Sequence, residues 1–214
     1  MPPDSAATNK GIGRRRRFLV LRHAPTAWNA AGRIQGRTDC PLSPEGVERA
    51  LTWQVPASFR HVPCFSSPLR RCLDTARAMG LSPFVDDRLV EMDWGTLEGA
   101  TLAGMRAEGG AEFTRREAAG LDFRPPGGET PREAGARALA VLSEATSDAV
   151  IVTHKGVMRA LLALATGWDM VGKPPIRFPA EGHALILEWQ EGVLYLQPDL
   201  SLIHISEPTR QAEI

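Results

Sequence analysis

The chain has no excess charge of either sign: 25 lysines and arginines balance 25 aspartates and glutamates. Binders of nucleic acid or membrane surfaces usually hold a basic excess, so neither is expected as a partner. No apolar run approaches the roughly 20 residues that a membrane-spanning helix needs. The stretch "GRRRRFLVLRHA" starts like a twin-arginine export signal, but only Phe18 to Leu21 follow before Arg22. An export h-region needs roughly 7–15 apolar residues. Cysteine is scarce, with Cys40, Cys64 and Cys72 and no C-x-x-C pair. An odd, unpaired set predicts reduced thiols and a cytoplasmic location. The five histidines are scattered without metal-ligand spacing, so no metal site and no cofactor are expected.

What is present is a globular composition, 43% hydrophobic and 23% charged over 214 residues. That suits one domain with a real core, and a chain of this size is compatible with a homodimer. There are no internal repeats. Residues 1–17 read as a loose basic tail, with Arg14 to Arg17 as a solvated charge run. At the other end, "LSLIHISEPTRQAEI" (Leu200 to Ile214) is similar to the in-frame translation of a sequencing adapter. It is read as an artefact and set aside, which leaves residues 18–199 as the domain.

The domain alternates strands with helices. "FLVL" and "AVIVTH" are short apolar runs of the kind buried on both faces of a sheet. "SPEGVERALTWQV" predicts a helix capped by Ser43, with Pro44 at its first position and Val47, Ala50, Leu51 and Val55 on its inner face. "PCFSS" predicts a strand. "SPLRRCLDTARAM" predicts a helix capped by Ser67, with a stripe of Leu69, Cys72, Leu73, Ala76 and Met79. Thr130-x-x-Glu133 is a capping box that opens a third helix, buried along Ala134, Ala138, Val141, Leu142 and Ala145. "GVMRALLALATG" is a helix closed by Gly167. "HALILEWQEGVLYLQ" is a hairpin turning at Glu191-Gly192. Residues 97–126 carry little pattern and are expected to form a lid-like insertion. The alternation predicts an α/β three-layer sandwich, with a largely parallel central sheet and helices on both faces.

In such sheets ligands bind outside the carboxyl ends of the strands. "FLVLRH" and "AVIVTH" put His23 and His154 at two such ends, and Arg22 beside His23 is an anion-binding group. Two other motifs compete. "GWDMVGKP" (Gly167 to Pro174) begins like a P-loop, but Pro174 replaces the magnesium-holding hydroxyl and the stretch follows a helix rather than a strand. Cys64 and Arg70 stand in a C-x5-R arrangement that resembles the phosphate loop of thiol-based phosphatases. The loop lacks glycine, and Pro63 stands where a histidine is usual.

"LRHAPTAWNAAGRIQG" resembles the opening signature of the histidine phosphatase superfamily, the phosphoglycerate mutase-like proteins. "SSPLRRCLDTA", "LVEMDWGTLEGATLAGM", "GGETPREAGAR" and "VTHKGVMRALL" are similar to its later blocks, in the same order. The resemblance spans most of residues 18–197. It implies a phosphoglycerate mutase-like fold and an enzyme that forms a phosphohistidine on His23, without metal. It implies that Arg22, Arg71 and His154 bind the phosphoryl oxygens, and that Glu91 serves as general acid and then general base. Helix geometry alone does not choose between Arg70 and Arg71; the family spacing from Ser67 to Thr75 selects Arg71. Thr26, Asn29, Gln35 and Gly36 match positions that contact or neighbour the substrate. The chain departs from the family at Ala24 and Pro25, in place of a glycine and a glutamate, and at Lys155, in place of a common glycine.

Glu91 and Glu129 lie 38 positions apart, a short interval for the lid with which a mutase excludes water. The expected function is therefore hydrolysis of a small phosphomonoester. Phosphoglycerate mutase-type transfer, a thiol-based C-x5-R phosphatase and a non-catalytic phosphate-ligand binder stand as alternatives. Pure binding would not need Glu91.

Overall fold

The computed structural model describes residues 15–179 and 181–197 and the backbone of a two-residue strand at 203–204. In chain order, β1 spans Arg16–Arg22, α1 Ala27–Ala30, α2 Pro44–Thr52, β2 Cys64–Ser66, α3 Arg70–Ala78 and β3 Pro83–Val85. They are followed by α4 Leu102–Glu117, α5 Pro131–Glu144, β4 Ala149–Thr153, α6 Lys155–Thr166, β5 His183–Gln190, β6 Val193–Leu196 and β7 Ile203–His204. The sheet runs β3-β2-β4-β1-β5-β6, with β7 also pairing β5. β3, β2, β4 and β1 are mutually parallel, and β5 joins β1 antiparallel.

The sandwich is legible along β1. Phe18 and Val20 point to one face, where they meet Val141 and Leu142 of α5 and Val157 and Leu161 of α6. Leu19 and Leu21 point to the other, against Ala50 of α2 and Cys72 and Ala76 of α3. Period-2 alternation gives each strand two apolar faces, and a sheet covered on both sides needs both. A third cluster lies apart, built from Met92, Met105, Phe113, Phe123 and Ala134. It roofs one side of the strand ends.

Several expectations change. Arg16 and Arg17 belong to β1 rather than to a solvated run. Arg17 donates to Asp148 from its backbone N–H, Nε and Nη2, and this forked pairing lets a charged residue join a half-buried strand. The rest of the expected tail, residues 1–14, lies outside the described residues, as do 200–202 and 205–214 of the suspected artefact. Within that segment Ile203–His204 adds a short antiparallel strand to β5. On α2, Val47 and Leu51 are exposed, and Gly46 and Ala50 face inward. A side chain at 46 would strike the Pro25 carbonyl, so the small residues let the helix close on the loop after His23. α3 starts at Arg70 with Leu69 as its N-cap, two residues later than expected, because Ser67 is drawn into the site described below. Residues 97–126 hold a 16-residue helix, α4, bent at Gly110 (φ 51°, ψ −136°). β3, absent from the sequence reading, opens on Pro83, which suits an edge strand.

The final hairpin, α6 and the start of α5 match expectation, and α1 is a short helix the sequence reading did not propose. Glu191 and Gly192 both have positive φ (52° and 84°), as the tightest hairpin turns require. Gly167 ends α6 in the left-handed conformation. At α5 the Thr130 hydroxyl accepts from Glu133 N–H, and the Glu133 carboxylate accepts from Thr130 N–H. Replacing Thr130 by alanine removes half of that box. It is expected to lower unfolding free energy by about 1 kcal/mol, read as a lower urea midpoint at unchanged slope.

Candidate active site

The site follows from strand register. β1 and β4 are parallel with Arg22 opposite Thr153, so the next residues, His23 and His154, emerge side by side. The His23 N–H donates to the Thr153 carbonyl at 3.0 Å, and the two imidazole centroids are 5.3 Å apart. β2 ends one strand further along, where the Ser67 N–H donates to the Val152 carbonyl. Three strand ends thus deliver His23, His154 and Ser67 to one place.

His23 is 5% exposed. Its Nδ1 lies 2.7 Å from the Ala24 carbonyl, which can only accept. The proton is therefore on Nδ1, and the lone pair is on Nε2. Burial, and then the guanidiniums of Arg22 and Arg71, hold this imidazole well below its ordinary pKa, so it is neutral at physiological pH.

Arg71 is wholly buried. Nη1 donates to the Thr38 carbonyl and Nη2 to the Gly36 carbonyl, both at 2.7 Å, and Nε donates to His154 Nδ1 at 3.2 Å. Three of its five N–H groups are thus spoken for, and two remain for a ligand. Receiving that bond leaves His154 with its proton on Nε2, which donates to Ser67 Oγ at 2.7 Å. Both nitrogens of His154 are engaged with protein, and the ring is fully buried. In this arrangement His154 braces Arg71. Arg70 is exposed, as the family spacing implied.

Arg22 and Arg71 line a cleft of about 470 Å³ together with His23, Asn29, Gln35 and Glu91. Among the described residues, Arg22 Nε and Gln35 Oε1 are buried without a hydrogen-bond partner. A buried guanidinium N–H left unsatisfied beside a neutral imidazole is an arrangement that an arriving anion can complete. Thr26 caps α1, accepting from Asn29 N–H, while Asn29 Oδ1 accepts from Thr26 N–H. Gly36 contributes its carbonyl to Arg71. It has φ +53°, and a side chain there would collide with Glu98.

Glu91 is 9% exposed and lines the same cleft. Its Oε1 accepts from Met92 N–H at 2.8 Å and its Oε2 from Gly156 N–H at 3.1 Å. Those two bonds favour the carboxylate, but burial outweighs them and raises its pKa. Gly156 is small for a reason: a methyl group there would overlap the Glu91 carboxyl.

The sequence reading missed the braces. Arg137 of α5 donates to the Arg88 and Glu91 carbonyls and pairs with Glu129, whose Oε1 accepts from Asp93 N–H. This network locks the backbone on both sides of Glu91, and Glu129 is the acid of the "GGE" block. Glu98 accepts from the N–H groups of Arg37 and Thr38, fixing the loop whose carbonyls hold Arg71. Thr75 Oγ1 accepts from Ala24 N–H at 2.9 Å and donates to the Arg71 carbonyl at 2.6 Å. Their signal in the sequence was only that they fell inside the family blocks.

The C-x5-R motif does not form a site. Cys64 is a core residue whose burial pushes its thiol up to about 12, far from the thiolate a nucleophile needs. Its Arg70 points away, to solvent.

Comparison with known proteins agrees with this geometry. The model of the histidine phosphatase superfamily (branch 1) matches residues 18–197. A glucosyl-3-phosphoglycerate phosphatase of Mycolicibacterium vanbaalenii is 35% identical over 180 residues, covering 73% of this chain and 79% of that protein. A metal-independent phosphoserine phosphatase of Arabidopsis thaliana is 30% identical, over 73% of this chain and 71% of its own. Among solved structures, a phosphoglycerate mutase from Thermus thermophilus superposes with a TM-score of 0.66 at 30% identity, covering 87% of this chain and 98% of that one. With its blocks in order, its strand ends converging on two histidines and its relatives of this kind, the chain belongs to the histidine phosphatase superfamily.

Proposed function

We propose that the chain is a metal-independent phosphomonoesterase acting on a small phosphorylated metabolite through a phosphohistidine on His23. The observation that carries this reading is the protonation pattern. A neutral His23 with its lone pair on Nε2 shares a cleft with two arginines and with a carboxyl group whose pKa is raised.

Each group then has one task. Arg22 and the free N–H groups of Arg71 bind the phosphoryl oxygens and offset the charge that accumulates in the transition state, the role a metal ion takes in other phosphoryl-transfer sites. The His23 Nε2 lone pair forms a bond to phosphorus as the bond to the ester oxygen breaks. Protonated Glu91 gives its proton to that departing oxygen. The resulting carboxylate then takes a proton from water as the water oxygen attacks phosphorus. The phosphorus–nitrogen bond breaks, phosphate leaves, and both residues return to their starting states. His154 serves by holding Arg71 in place.

Hydrolysis is favoured over transfer between substrates because the stretch from Glu91 to Glu129 supplies one bent helix, α4, as cover. The phosphatase names of the Mycolicibacterium and Arabidopsis relatives support the same choice, although a phosphoglycerate mutase of Gloeobacter violaceus is similar at 30% identity. Three unpaired, buried thiols suit a reducing compartment such as the cytoplasm.

Three outcomes test this reading. Wild type is expected to hydrolyse p-nitrophenyl phosphate in the presence of EDTA, and His23→Ala to lose that turnover while keeping the wild-type circular dichroism spectrum. Retained turnover in the variant would sink the mechanism. The pH profile has a definite sense. A depressed His23 pKa keeps the nucleophile ready below pH 6.5, so the acid limb lies below the usual histidine range. Deprotonation of Glu91 removes the general acid, so the alkaline limb falls for alkyl phosphates and is weaker for p-nitrophenyl phosphate. Its leaving group needs little help, and Glu91→Gln should cost on the order of 10²–10⁴-fold more on the alkyl ester. Finally, Gly156→Ala displaces the end of a flexible side chain, not backbone. It is expected to lower alkyl phosphate turnover by about tenfold or more, with a thermal midpoint close to that of wild type.

A further inference from the structure

The cleft holds more positive charge than one phosphoryl group uses. Besides Arg22 and Arg71, its walls carry Arg33, Arg106, Lys155 and Arg159. Arg106 is neutralised by Glu117 through two hydrogen bonds of 2.9 Å. Arg33 donates to the Gly99 carbonyl. Lys155 and Arg159 differ: among the described residues neither has a carboxylate at ion-pair distance. They stand at i and i+4 on α6, on one face of the helix, where like charges repel.

Arg159 is nonetheless held in position. Its guanidinium stacks at 4.8 Å from the centroid of Trp168 and at 6.0 Å from that of Phe178. Aromatic faces orient a guanidinium without cancelling its charge or occupying its in-plane donors. Partial burial, then Arg22 and Arg159, depress the Lys155 ammonium, although the residue itself is exposed. Two cations without carboxylate partners, one of them oriented by aromatic faces, beside a phosphoryl site have the chemistry of a second anion-binding position.

We propose that Lys155 and Arg159 form a subsite for a second anionic group on the substrate, a carboxylate or a second phosphate. The inference rests on the phosphatase reading and narrows its substrate class. Lys155 directly follows His154, and Arg159 lies about 6 Å further along the helix axis at 1.5 Å per residue. Both line the cleft that holds His23, Arg22 and Arg71, so one small ligand can meet the two groups of cations together. Phosphomonoesters whose bodies are uncharged would leave the pair unmatched.

The test is competition against p-nitrophenyl phosphate hydrolysis by wild type, Lys155→Met, and the double variant Lys155→Met/Arg159→Met. The competitors are glycerol 3-phosphate, 3-phosphoglycerate and propane-1,3-diol bisphosphate, which share a three-carbon body and differ in the second group. In wild type, at least one of the two doubly anionic compounds is expected to compete at a concentration about tenfold or more below glycerol 3-phosphate, the ratio one charge-assisted hydrogen bond provides. An advantage of 3-phosphoglycerate alone identifies a carboxylate subsite, and of the bisphosphate alone a phosphate subsite. The double variant should reduce the advantage to threefold or less. Lys155→Met, a change at an exposed position, should reduce it in part should the double variant fold poorly. Equal competition by all three compounds in wild type overturns the inference, as does an advantage that survives both variants. Neither result touches the phosphatase reading, which falls only if p-nitrophenyl phosphate is not turned over at His23.

Discussion

A cation with no exposed surface organises this protein. Arg71 is enclosed by neutral acceptors, the carbonyls of Gly36 and Thr38 and the Nδ1 of His154. Burying a charge without a counter-charge is expensive, and dipoles offset only part of the cost. The residues around it read as the means of keeping those dipoles aimed. Glu98 holds the loop that carries two of the carbonyls. Ser67 receives the bond that leaves His154 Nδ1 free to accept. Thr75 ties the helix bearing Arg71 to the loop after His23. The site is preorganised because its central cation cannot relax toward water.

Glu91 is a second group kept in an unfavourable state. Two backbone N–H groups favour its carboxylate, and enclosure by Met92 and its neighbours opposes them and prevails. The bonds fix the position of the carboxyl group while burial sets its protonation. Arg137 and Glu129 then act on the backbone around Glu91, not on its side chain. They can hold the residue still without adding a counter-charge at the reacting oxygens.

Much of this was legible in the sequence, and the reasons differ by element. β1, β4, α5, α6 and the last hairpin carry their own signals: unbroken apolar runs, a capping box, a closing glycine and a two-residue turn. His23, Arg22 and Glu91 stood out because chemistry and the family blocks converge on them, and the structure brings all three to one cleft. Arg71 over Arg70 came from family spacing alone, and its burial agrees. The failures share a cause, which is that tertiary contact overruled a local pattern. Val47 and Leu51 fell on the expected stripe of α2 yet are exposed; Gly46 faces inward beside the expected Ala50, because a side chain at 46 would strike the Pro25 carbonyl. Ser67 had the look of a helix cap and was taken by His154. α4 lacks a strong stripe because it covers a cleft and bends at Gly110. The braces through Arg137 and Glu98 link residues far apart in the chain, and a single sequence holds no sign of such pairings.

The position of β1 at the centre of the sheet has a consequence for how the protein is made. Its neighbours are β4, which starts at Ala149, and β5, which starts at His183. At roughly 5–20 residues per second of synthesis, Phe18 waits about 7–26 seconds for the residue it will pair with. During that time four of the most apolar side chains in the molecule have no sheet to join. The proposed nucleophile, His23, stands at the end of that strand, so the cleft around it cannot assemble before β4 and His154 are made. A chain halted before β4 would hold His23, Arg22, Arg71 and Glu91 but lack both the strand that seats His23 and the imidazole of His154 against which Arg71 is fixed.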